Sequence, residues 1–223
     1  MTIDWSILAA ILSIGIAAFA RTTAVSFAGI LVNTSLVSYG GDLAVSAYGI
    51  INRIMMFAIM PGIVIGQGLQ PILGYNYGAR RYDRAYRAIK IAMAAATLCC
   101  VIVFVLLYFL PEPFIRIFTA DQQLITSGVY AAKRIFLTLY LVGFIMVGSL
   151  VFQSIGKAKL SFLTAVARPA LFLLPMIIIL PDYFQLDGIW LAFPIADVLS
   201  FLLTLILIIP QIVEFKNSGQ QER

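Results

Sequence analysis

Asp197 lies inside the apolar run GIWLAFPIADVLSFLL, where a carboxylate has more chemistry to offer than any other side chain in this sequence. Pro194 precedes it by three positions, which frees the carbonyl of Trp190 and allows the helix to bend. A carboxylate beside freed carbonyls can take up a proton or help coordinate Na⁺. Arg53 and Arg168 are the matching cations. Counting helical rise from the ends of their apolar runs puts all three groups roughly 12 to 15 Å deep in a hydrocarbon core about 30 Å thick. Charge at that depth costs on the order of 2.5 to 3.5 kcal/mol, so the three should face one another or a wet cavity. Two roles compete for them: ion or substrate handling, and a structural Arg/Asp bridge between helices. Arg168 alone can also extend along its own stem toward the cytoplasmic surface. Asn33 and Asn52 form a second tier, able to line a pathway or simply to bond across helices. Tyr140 either lines a cavity or fills the bundle.

A second cluster of polar and small residues closes an apolar helix in PGIVIGQGLQPILGYNYGARRYDR. Gln67 and Gln70 share one helical face, and lipid offers an amide no partner, so that face should meet protein or water. Gly66, Gly68 and Gly74 permit close helix approach. Together Gln67, Gln70 and Gly74 are expected to form a gate at the cytoplasmic end of a cavity. Tyr75, Tyr77 and Tyr82 suit the headgroup level, with arginines beyond them.

These groups need membrane helices to hold them. The 223 residues are 62% hydrophobic and 11% charged, against roughly 25% charged in ordinary globular domains. The chain reads as an all-α integral membrane protein, a six-helix bundle with spans at about 17–39, 43–75, 88–110, 125–153, 160–180 and 189–209. Residues 1–16 read as a membrane-associated or linker segment, 17–213 as the transmembrane lobe, and 214–223 as a polar, disordered cytoplasmic tail. Nine basic residues lie on the side of both termini (Arg80, Arg81, Arg84, Arg87, Lys90, Lys157, Lys159, Lys216 and Arg223) and three on the other (Arg116, Lys133 and Arg134). That asymmetry places both termini in the cytoplasm of a multi-pass cell-membrane protein. The same asymmetry accounts for the net charge of +5 without a nucleic-acid partner. Histidine is absent and Cys99 and Cys100 are adjacent, so neither a metal site nor another cofactor is expected. No P-loop, GxSxG, HExxH or DFG is present, which argues against an enzyme and against ATP-driven transport.

The segment above, with SAYGIINRIMMFAIM before it and QSIGKAKLS and GIWLAFPIADVLS after it, closely resembles the multidrug and toxic compound extrusion (MATE) family. The resemblance is to the C-terminal six-helix lobe. It implies a secondary transporter with two lobes around a central cavity, exchanging small lipophilic or cationic drugs for H⁺ or Na⁺. It further implies partners in the lipid bilayer and in an N-terminal lobe that these residues do not contain, or in a second copy forming a homodimer. The resemblance departs from one branch of the family, which carries a glutamate in the lobe's first span and an aspartate in its fourth; Asn33 is the notable polar group of the first span here. Other readings are a remnant or accessory subunit that does not transport, and a lipid or polysaccharide flippase.

Overall fold

The computed structural model describes the backbone of residues 5–221, with the side chains of residue 19 and residues 22–218. The order is α1 (Trp5–Gly78), α2 (Tyr82–Phe109), a short α3 (Pro111–Arg116), α4 (Gln122–Ile135), α5 (Leu139–Ser154), α6 (Ala158–Val166) and α7 (Leu174–Gln221). A tight 3₁₀ turn, Phe136–Thr138, joins α4 to α5, and a wide π turn, Ala167–Leu173, joins α6 to α7. Neither turn ends the helical path. Among the described residues four stretches are therefore long and apolar enough to cross a membrane: Thr22–Gly78, Tyr82–Phe109, Gln122–Ser154 and Ala158–Ser218. This is an all-helical, multi-pass membrane protein.

The first and last stretches run for 57 and 61 residues, far beyond the ~20 that one crossing needs. Each contains one break. Gly41 (φ 63°, ψ −166°) and Gln185 (φ 50°, ψ −129°) leave helical space. At the second break the chain folds back: a Cβ on Gly188 would collide with the carbonyl of Leu180, whereas eight residues of straight helix would hold the two about 12 Å apart. Gly40 sits against the Leu186 side chain, and the Tyr39 hydroxyl lies 3.2 Å from Asp182 Oδ1, so both breaks meet at one pole. Tyr130 of α4 joins them there, its hydroxyl 2.8 and 2.9 Å from the carboxylate oxygens of Asp187. Arg134 stacks 3.5 Å above the Tyr130 ring and reaches Asp187 at 3.5 Å.

The opposite pole gathers the connections around Arg80 and Gly156 with the end of α7. Tyr77, Tyr82 and Phe215 pack ring to ring with centroids 5.7 to 6.1 Å apart, and Lys157 pairs with Glu214 at 3.6 Å. Gly156 turns the chain at φ 74°, where glycine carries no steric penalty. Two apolar clusters fill the space between the poles. One holds Leu36, Ile51, Phe136, Leu139 and Trp190; the other holds Leu73, Ile89, Val151, Phe152 and Phe215.

Three readings change at the edges. The segment expected as a disordered tail from residue 214 continues α7 to Gln221, because Phe215 is buried between the two tyrosines and ties the helix end down. Of residues 1–16, residues 1–4 lie outside the described residues; from Trp5 the helix runs unbroken into the first apolar run. Gly68 faces open space rather than a close neighbour, and a Cβ on Gly74 would meet only Ser154 O at an ordinary 3.6 Å. Gly66 does approach closely, a Cβ there pressing into the Leu150 side chain, and so does a glycine outside that segment. A Cβ on Gly143 would stand 2.5 Å from Ala96 O and 2.9 Å from Cys100 Sγ, so α5 lies directly on α2.

Gly143→Ala should force those helices apart at a cost of about 1 to 3 kcal/mol, seen as a lower thermal midpoint in detergent. Gly68→Ala meets no atom within 4 Å and should hold or raise the midpoint, since alanine is the better helix former. Equal midpoints for the two variants would contradict this packing.

Candidate functional site

Asp197 is 1% exposed, and both of its carboxylate oxygens are engaged. Arg168 Nε donates to Oδ1 at 2.5 Å, and Thr138 Oγ1 donates to Oδ2 at 2.9 Å. The two irregular turns deliver these partners: the 3₁₀ turn supplies Thr138 and the π turn supplies Arg168. Pro169 explains part of this geometry. It has no N–H for the carbonyl four residues back, so a regular α-helical ladder is unavailable there and a wide turn takes its place. Tyr48 of α1 lies against the same region, its ring 5.8 Å from Phe193 and 6.4 Å from Trp190. The site thus draws on every long stretch except α2.

Sequence reasoning placed Asp197 and Arg168 near the same depth and expected one of the two arginines to bridge to the carboxylate. Arg168 does so. Arg53 does not: it is exposed on α1, and among the described residues it has neither an ion pair nor a hydrogen bond. Asn52 beside it is exposed as well. Asn33 is exposed and spends its amide on Gly29 O of its own helix, at 3.0 Å. Tyr140 is 37% exposed, edge-on to Phe104 with centroids 5.3 Å apart. Gln67 is exposed and Gln70 half-buried. Near them Asn76 is buried, and its Oδ1 is the one buried side-chain polar atom without a partner among the described residues.

Thr138 escaped the sequence reading because a threonine inside FLTLYLVG has no local mark. The better signal was on α7. Asp197, Ser200 and Thr204 recur at helical spacing and are all buried, so the polar stripe itself announces which face of α7 turns to protein. Ser200 donates to Ala196 O at 2.6 Å, and a Cβ on Gly148 would press into Thr204. No group of three or more metal-ligating side chains occurs among the described residues.

One cation and one hydroxyl thus engage the two carboxylate oxygens of Asp197, which pairs the buried charge within the protein. Removing one partner of a buried pair strands the other. Asp197→Asn should therefore destabilise the protein by about 3 to 5 kcal/mol, read as lost yield and a lower thermal midpoint. The double variant Arg168→Gln/Asp197→Asn should recover most of that loss. A single variant as stable as the parent would show that the pair contributes nothing to folding.

Residues 16–179 match the MatE family. The multidrug export protein MepA of Staphylococcus aureus (strain MSSA476) is 26% identical over 203 residues, covering 90% of this chain and 44% of the relative. Its counterpart from Staphylococcus haemolyticus is 24% identical over 200 residues, 89% and 43% of the two chains. Among solved structures, the ligand-bound MATE multidrug transporter DinF-BH is 39% identical, with TM-score 0.82 over 93% of this chain and 47% of that one. A Pyrococcus furiosus transporter of the MOP superfamily, described by the reverse polarity of its binding pocket, is 22% identical with TM-score 0.87 over 96% and 49%. The chain thus spans less than half the length of these relatives. With nearly three-quarters of its length matched and its helical framework shared with solved MATE transporters, this chain belongs to the MatE family.

Proposed function

We propose that this chain is one half of a secondary multidrug efflux transporter, exchanging lipophilic or cationic drugs for H⁺ or Na⁺. The observation that carries the reading is a polar strip on an otherwise lipid-compatible lobe. Asn33, Asn52, Arg53 and Gln67 are exposed on the two arms of α1, where lipid satisfies none of them. A second half facing that strip turns it into the wall of a shared cavity. The resemblance to multidrug exporters over nine-tenths of this chain and under half of theirs supports the same arrangement. The second half is a separate chain, a preceding part of the same polypeptide, or another copy of this lobe.

Six crossings follow from counting each broken stretch twice. Gly41 and Gln185 act as single-residue hairpins at the outer surface, and the arginine-rich pole with both termini faces the cytoplasm. Asp42→Cys should react with an impermeant maleimide from outside, in a background with Cys99 and Cys100 replaced by alanine. Arg81→Cys should require a permeant reagent. The reverse pattern would sink the orientation.

In this reading the Arg168–Asp197 pair couples ion to drug. A proton or Na⁺ that takes Arg168's place frees the π turn, and the change is transmitted to the cavity wall. The amide- and glycine-bearing end of α1, with Gln67, Gln70 and Gly74, serves as the cytoplasmic gate. Efflux of a lipophilic cationic dye should depend on an ion gradient in cells that hold this chain and a complementary half. The folded Arg168→Gln/Asp197→Asn variant should bind the dye yet lose that dependence. Unchanged, gradient-dependent efflux by the double variant would remove Asp197 from coupling and leave the pair a structural bridge.

A further inference from the structure

Charge is distributed unevenly over this lobe. Asp197 is the one acid of the described residues within the apolar body, and it is buried and occupied. Every other described acid lies at a helix end or near a turn: Asp42, Asp83, Glu112, Asp121, Asp182, Asp187 and Glu214. Arg53 is the opposite case. It stands twelve residues beyond the break at Gly41, about 18 Å along the helix. It is exposed and has no partner among the described residues. A bare guanidinium at that depth costs on the order of 2.5 to 3.5 kcal/mol, and its five donors meet no protein acceptor among the described residues.

Its surroundings are just as specific. At 100° per residue, Ser46, Gly49, Arg53, Met56, Phe57 and Met60 fall on one face of α1. A Cβ on Gly49, one turn before Arg53, would meet no atom within 4 Å, so this face of the helix is open there. Met56, Phe57 and Met60 are 62, 69 and 54% exposed. Methionines with free, polarisable side chains adapt to apolar bodies of varied shape, and arginine takes carboxylates and phosphates through two parallel hydrogen bonds. The strip therefore offers a cationic fork next to a pliable apolar bed.

We propose that Arg53 is an anion-binding site on the cavity wall. It seats the acidic head of a small amphipathic molecule, whose apolar body lies on Met56, Phe57 and Met60. The inference rests on the reading of this face as a cavity wall and adds a substrate class to it. This half of the wall takes amphipathic anions, and the positive charge of a cationic drug finds no free acid on it.

Binding can be measured without transport. The purified full chain in neutral-lipid nanodiscs is titrated with pyrenebutanoate, and with a trimethylammonium compound carrying the same pyrene-butyl body. Energy transfer from tryptophan is the readout, with empty discs subtracted. The anion should bind at least about tenfold more tightly than the cation. Arg53→Gln should remove that preference, as loss of a charge-assisted contact implies. Arg53→Lys should keep most of it, and Met60→Ala should weaken both probes alike. Equal binding of the two probes, or an anion preference that survives Arg53→Gln, overturns the proposal. So does loss of the preference when the complementary half is assembled, because the natural anion is then a side chain of that half. Failure here with gradient-dependent dye efflux intact rejects the site and leaves the transport reading standing; anion binding without efflux does the reverse.

Discussion

Hydrocarbon supplies neither hydrogen-bond partners nor counter-charges, and this constraint shapes every unusual feature of the lobe. Asp197 cannot sit in the apolar body unless something meets both of its oxygens. Meeting them takes two departures from regular helix: a tight turn that presents Thr138 and a wide one that presents Arg168. Each departure loosens the local hydrogen-bond ladder, a cost that a buried charge left alone would exceed. The glycine contacts serve the same end by another route. Where Gly143 lies on Ala96 the backbones approach closely enough for packing to hold α2 and α5 together, since two apolar surfaces in lipid gain little from the hydrophobic effect.

Much of this was legible in the residues. Apolar run lengths located the helical stretches, and depth counting matched Asp197 to an arginine. What the sequence hid is the form of the breaks. The sequence places the return between 180 and 189, but Gln185 adopts positive φ without being glycine, so the breaking residue itself has no local mark and its geometry depends on Gly188 fitting against Leu180. The choice between the arginines was equally invisible. Arg53 and Arg168 are alike in depth, and only the orientation of their helices sends one inward and the other out. The tail was misread for a related reason: Phe215 is a lone aromatic among polar residues, and its burial requires Tyr77 and Tyr82, more than a hundred residues earlier.

The two poles differ in how firmly they are held. At the pole around Arg80 and Gly156 three aromatic rings and the buried neighbours of Phe215 form a dry contact. At the other, exposed tyrosine–aspartate hydrogen bonds and the Arg134–Asp187 pair do most of the joining. Interactions of that exposed kind are weakened by competing water and contribute little. The hairpin pole is thus the weaker of the two, and the breaks at Gly41 and Gln185 lie within it.

The first arm of α1 is the least encumbered element at that pole. Its buried side chains, Ala28, Val32 and Leu36, recur once per turn as a single narrow stripe. Three of its described polar groups bond to their own helix: Asn33 to Gly29, Thr34 to Ile30 and Ser38 to Thr34. A swing of this arm about Gly41 leaves those three bonds intact and parts the Tyr39–Asp182 contact. The second arm is different. It packs Ile51 and Ile54 into the core, lies against Leu150 at Gly66, and sets Tyr48 against Trp190 and Phe193. The two arms of α1 are thus joined at one glycine, the second packed into the core with Tyr48 against Trp190 and Phe193, and the exposed Arg53 lies on that second arm.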